Sequence, residues 1–154
     1  MTARDKFSAE DFSEEHSDKF LRRVFYWTIF NAKARDWVNQ DVRIGFDRED
    51  NELNEGFKPQ WHHVFPRRLL RGRFDDAKTD SLANIAVLNE RANRSLSAKP
   101  PREYLQQHRV NSDRLAEQAI PSEQLLEIDR FDEFLAERAK LLAKKSGEFL
   151  ERLT

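Results

Sequence analysis

Two histidines stand side by side at His62 and His63, with Trp61 before them and Val64-Phe65-Pro66 after them. If this stretch is extended, strand alternation sends the two imidazoles to opposite sides, so both cannot belong to one core face. Such neighbours can divide labour, one ring holding a metal ion while the other takes a proton. A His-His pair alone also fits ordinary structural polar contacts. Asn84 follows His63 by twenty-one residues in a strand-like run, and Asn93 follows nine later in a stretch that reads as helix. The order is an extended His-His pair, a basic loop, a short strand with one asparagine, and a helix with another.

The elements that must position these side chains are read from periodicity and turn residues. Residues 9–33 read as helix, with Phe20, Val24 and Trp27 at helical spacing and Leu21, Phe25, Thr28, Ile29 and Phe30 widening the apolar stripe. Such a helix is expected in the core, and Trp27 and Trp37 with it; Trp61, beside the histidines, suits either core or base stacking. Residues 40–56 read as polar loop with a short strand at 42–46, and 57–64 as extended, because Pro59 opposes helix. Pro66 permits a turn or helix start into 67–71, and 72–79 read as loop. Residues 81–88 supply a short strand and a helix start, with Asn89 as N-cap for 90–95. Short helices follow over 102–108 and 112–119, Ser122 opens a helical turn, and 131–153 form the longest helix. There Phe131, Phe134, Leu135, Leu142, Phe149, Leu150 and Leu153 share one side with charges opposite, the pattern of a packing helix.

With these elements in place the layout resembles a known family. His62-His63-Val64-Phe65-Pro66 looks like the opening motif of the HNH endonucleases, whose core is a ββα-metal finger. Residues Ser81 to Asn89, continuing through Asn93-Arg94-Ser95-Leu96 to Pro100-Pro101-Arg102-Glu103-Tyr104-Leu105, look like its second half. More narrowly, the chain is similar to the C-terminal HNH domain of the GmrSD-type bacterial restriction and phage-defence proteins. Ala34-Arg35-Asp36-Trp37 and the helical tail from Ala119-Ile120-Pro121 onward share that likeness. The last motif position, often histidine in the family, is Asn93 here, which still offers a carbonyl oxygen to a metal.

The resemblance implies an α+β, mainly α fold in which a ββα-metal (HNH) finger is embedded in a helical domain. It implies one HNH nuclease domain over 1–154, with a helical part at 9–39, a ββα-metal core at about 57–99 and a helical part at 101–153. It also implies an activity: metal-dependent hydrolysis, by cutting or nicking, of DNA phosphodiester bonds in a restriction or anti-phage system. His63 would be the general base, suited by an imidazole reference pKa of about 6.5. His62 and Asn93 would hold one divalent cation, Mg²⁺ or Mn²⁺. Asn84 would complete the catalytic set by bracing the histidine loop through backbone hydrogen bonds. Arg67, Arg68, Arg71, Arg91, Arg94, Lys99 and Arg102 are the candidate DNA phosphate contacts, Arg94 foremost; each alone also fits a solvated charge. Larger family members carry an N-terminal sensor or nucleotide-using domain, so the expected partners are DNA and such a domain, on a longer chain or a separate one.

Composition agrees with a folded, polar domain. In 154 residues, charged side chains make up 36% and hydrophobic ones 38%, and twelve Phe, three Trp and two Tyr oppose disorder. Without cysteine there is no disulfide framework, Cys-ligated zinc or thiol catalysis. The longest apolar run, 24–30, is interrupted by Thr28 and too short for a bilayer, and the polar N-terminus lacks the order of a signal peptide. The expectation is a cytoplasmic protein with no membrane partner. The near-neutral total of 27 basic and 28 acidic residues hides an asymmetry: between Phe57 and Arg102, ten basic residues stand against four acidic ones. A basic middle in an acidic frame suits a polyanion. Two readings from other classes remain open: a catalytically silent DNA-binding module, or a partner-docking domain with an HNH-like finger.

Overall fold

Asp18 starts the principal N-terminal helix, its carboxylate accepting from the Phe20 and Leu21 N–H groups at 2.8 and 3.4 Å. The computed structural model describes residues 7–13, 18–47, 49–52, 60–89, 92, 96 and 98–153. In place of one helix over 9–33 there are two among these residues, α1 (Glu10–Ser13) and α2 (Lys19–Asn31). The buried side of α2 is Leu21, Val24, Phe25, Thr28 and Ile29. Phe20 and Trp27, expected in the core, are 62% and 48% exposed. With apolar residues on most of its circumference, α2 has more than one possible inner face. Packing against the C-terminal helix selects one of them.

That helix, α7 (Phe131–Leu153), has the expected bounds. Phe131, Phe134, Leu135 and Leu142 lie in the core, while Phe149 and Leu150 are half-buried and Leu153 is exposed. α1 and α2 both pack on α7. Thr28 Oγ1 approaches Ser146 Oγ to 3.2 Å across the α2–α7 contact, so small polar groups are paired where the helices come close. Between them in sequence come α3 (Arg67–Leu70), α4 (Asp76–Thr79), α5 (Pro101–Gln107) and α6 (Ser112–Glu117). α4 replaces the loop expected over 72–79: Asp75 caps it by accepting from the Lys78 N–H at 3.0 Å. Pro101 in the first turn of α5 and Asn111 capping α6 set the starts of those helices.

Among the described residues a two-stranded antiparallel sheet completes this mainly helical architecture. β1 (Gln60–His63) pairs with β2 (Ile85–Leu88) in the register Gln60↔Leu88, Trp61↔Val87, His62↔Ala86 and His63↔Ile85. All four β2 residues are buried, which accounts for their continuous apolar run. The strand expected at 42–46 is absent; isolated bridges join Arg35 to Arg43 and Phe46 to Glu52. Asn84 lies not in a strand but in a 3-10 turn, Leu82–Asn84, immediately before β2. Of the helix expected after Asn89, Ala92 and Leu96 are helical and buried, and the other positions from 90 to 95 lie outside the described residues. Among the described residues no helix is long and apolar enough to cross a membrane.

Candidate active site

Strand alternation separates the two histidines. His62 points inward and is 3% exposed, whereas His63 sits half-buried at the rim. The His62 ring lies edge-on to Trp37 and Tyr104, with centroids 6.1 and 5.4 Å away. Tyr104 donates its hydroxyl proton to Val64 O at 2.7 Å and stands 3.3 Å from His62 Nε2. Burial pushes the Tyr104 phenol far above its usual pKa, so the hydroxyl keeps its single proton. With that proton directed to Val64, His62 Nε2 is the donor toward Tyr104. A hydrogen bond of this kind fixes the orientation of an imidazole, as it does in histidines that hold a cation. His62 therefore fits the ligand role that the resemblance implies. Asn93, the second expected ligand, lies outside the described residues.

Asn84 is fully buried and spends its side chain on the loop that follows the histidines. Its Oδ1 accepts from the Phe65 N–H at 2.9 Å; its Nδ2 donates to Phe65 O at 3.1 Å and to Thr79 O at 2.9 Å. Its own carbonyl accepts from the Val64 N–H at 2.8 Å. These are the hydrogen bonds a brace would make, and they fix the backbone directly after His63. The Phe65 side chain secures the same loop from the core, its ring 5.1 and 5.2 Å from those of Phe131 and Phe134. Burying such a ring contributes about 2–3 kcal/mol.

The brace is itself held from α7. Arg138, on the helix whose charges were expected to face solvent, is fully buried. Its Nη1 donates toward the carbonyls of Leu82, Ala83 and Ile85 at 3.2, 2.9 and 2.6 Å, while Nε and Nη2 reach Gln118 O at 3.3 and 2.9 Å. Burial pulls the guanidinium down to about 9, which still leaves it cationic at neutral pH among four carbonyl dipoles. Gln118 in turn pairs with Val87 on β2, accepting from its N–H at 3.2 Å and donating to its carbonyl.

His63 Nε2 lies 2.9 Å from Asp80 Oδ1, and Arg67 Nη2 donates to Asp80 Oδ2 at 2.6 Å. Sequence reasoning missed Asp80. It ends α4 seventeen residues beyond His63, and only closure of the α3–α4 loop brings it there. Tyr104 and Arg138 were missed for a related reason: their hydrogen bonds to backbone carbonyls have no sequence signature.

A cleft of about 400 Å³ is lined by Trp61, His62, His63, Pro66, Arg67, Arg68, Arg71 and Ala98. A second, of about 250 Å³, is lined by Arg22, Trp61, His63, Arg67, Asp80, Leu82 and Ile85. Both histidines and three of the expected phosphate contacts thus meet in the first cleft, and His63 opens onto both. Trp61, 39% exposed, stacks one side on Phe25 at 5.7 Å, so it is part core and part cleft wall. Lys99 instead donates to Gln107, and Arg102 pairs with Glu127 beside a different cleft. Arg91 and Arg94 lie outside the described residues.

Compared with family models, curated proteins and solved structures, the chain gives no match.

Proposed function

We propose that the chain is a metal-dependent HNH endonuclease domain that cuts or nicks DNA, the effector end of a bacterial restriction or anti-phage system. The observation that carries this reading is the cleft at the end of β1, where His63 meets three arginines, with His62 on the inner face of the same strand and Asn84 clamping the loop that follows.

In this reading Arg68 and Arg71 hold the phosphate backbone across the cleft, and His63 accepts a proton from a water placed opposite the scissile bond. The water oxygen bonds to phosphorus, the bond from phosphorus to the 3′ oxygen breaks, and solvent returns a proton to the 3′ alkoxide. A divalent cation, Mg²⁺ or Mn²⁺, held by His62 and Asn93 would supply charge relief at the leaving oxygen. Two neutral protein donors make a weak site, so such an ion binds well only with DNA present.

Supercoiled plasmid incubated with the protein and either ion tests the reading. The wild type is expected to yield open circles or linear DNA. His63→Ala should lower the rate by about 10²–10⁴ while binding DNA as before. Plasmid left intact by the wild type at saturating ion overturns the proposal.

A further inference from the structure

Asp80 carries an inference beyond the residues assigned so far, and it rests on the reading of His63 as general base. One carboxylate oxygen faces His63 Nε2 at 2.9 Å, and the other accepts from Arg67 at 2.6 Å. The carboxylate is largely enclosed, its side chain 17% exposed, whereas that of Arg67 is 58% exposed. Two consequences follow. First, a carboxylate can only accept, so the proton of a neutral His63 must sit on Nε2 and the lone pair on Nδ1. Second, Arg67 is neutralised inside the protein even though it lines the cleft with Arg68 and Arg71.

We propose that Asp80 is a positioning residue that presents His63 Nδ1 to the attacking water, and that it does so while withholding Arg67 from the DNA backbone. The strand leaves the His63 ring free to rotate about its side-chain bonds, because only the following residues are clamped by Asn84. Asp80 removes that freedom from outside, and Arg67 fixes the carboxylate that does it. The same bridge sets a limit on affinity: while Arg67 faces Asp80, the cleft meets DNA with one fewer cation and one nearby anion.

This gives a signature that a structural role would not produce, because removing Asp80 should harm turnover and help binding. Asp80→Ala and Asp80→Asn are compared with the wild type in three measurements. At saturating Mn²⁺, kcat for plasmid nicking should fall about 10²-fold in both variants, as for a misplaced reacting group. The asparagine should do no better than the alanine, because its amide also accepts the ring in the wrong tautomer. Without added ion, DNA binding should tighten and its log–log salt slope steepen by about 0.9, one further phosphate contact from the released Arg67. In spectra of ¹⁵N-histidine-labelled protein, the His63 Nε2–H should give a downfield, slowly exchanging signal that both variants lose. An unchanged kcat, weaker DNA binding, or no such signal in the wild type each overturns the assignment of Asp80. A wild type with the signal and the salt response but no nicking overturns the nuclease reading instead.

Discussion

The two faces of β1 carry adjacent histidines under opposite rules. On the inner face His62 lies between Trp37 and Tyr104, its Nε2 facing a hydroxyl whose own proton goes to a backbone carbonyl. On the outer face His63 meets Asp80 and Arg67, charged groups with partial access to water. The inner arrangement is fixed by packing and is insensitive to salt. The outer one is ionic and partly exposed, so salt weakens it. A single strand thus presents, on opposite faces, one imidazole held by packing and one held by an ionic bridge.

The contrast breaks first at Asn84, which serves both faces by holding Phe65. Asn84→Ala leaves the Phe65 N–H, Phe65 O and Thr79 O without their partner in a fully buried setting. At about 1 kcal/mol or more for each orphaned group, the expected loss is about 3 kcal/mol in chemical unfolding. Under conditions where the variant is folded, its maximal nicking rate should be lower at saturating ion, and added Mn²⁺ should not recover it. Recovery by ion would mean that Asn84 acts on the cation site rather than on loop geometry.

How much of this was legible in sequence depends on how local each cause is. The alternation of His62 and His63 follows from an extended backbone alone, and the apolar run of β2 announces a strand buried on both faces. Backbone hydrogen bonds from Asn84 to the histidine loop could be expected, and Asn84 makes them from a 3-10 turn and not from a strand. α4 was hidden because four residues give no periodicity, even with Asp75 at its cap. Trp27 was misplaced because an α2 apolar on most sides does not say which face packs on α7. Arg138 reads in sequence as one more surface charge. Its burial becomes intelligible only when carbonyls from residues 82, 83, 85 and 118 converge on it. Asp80 belongs with it, a contact made by loop closure.

The inner face alone is tested by Tyr104→Phe. This change removes the donor to Val64 O and the acceptor for His62 Nε2 while keeping the ring that packs on Trp37. The expected cost in stability is about 1–2 kcal/mol. His62 Nε2 then loses this anchor, so the ion concentration for half-maximal nicking should rise by about tenfold, with little change in the rate at saturation. Asn84→Ala and Tyr104→Phe are thus expected to separate cleanly, one lowering the plateau and the other shifting the titration. If both lower the plateau equally, the two faces of β1 are not independent.

The smallest effects discriminate among the arginines of the outer face. Arg68 and Arg71 line the histidine cleft, and among the described residues neither forms a side-chain ion pair. Arg102 pairs with Glu127 and lines a separate cleft with Arg109 and Glu123. If DNA crosses the histidine cleft, Arg68→Ala and Arg71→Ala should each make the log–log salt slope of binding shallower by about 0.9. Arg102→Ala should leave that slope unchanged, although the sequence ranks all three alike. Each change is a single phosphate contact, so it must be read from the slope across several salt concentrations and not from one affinity. A slope altered by Arg102→Ala but not by Arg68→Ala or Arg71→Ala would move the DNA track off the histidine cleft and onto the α5 surface, taking the support for His63 as the base with it.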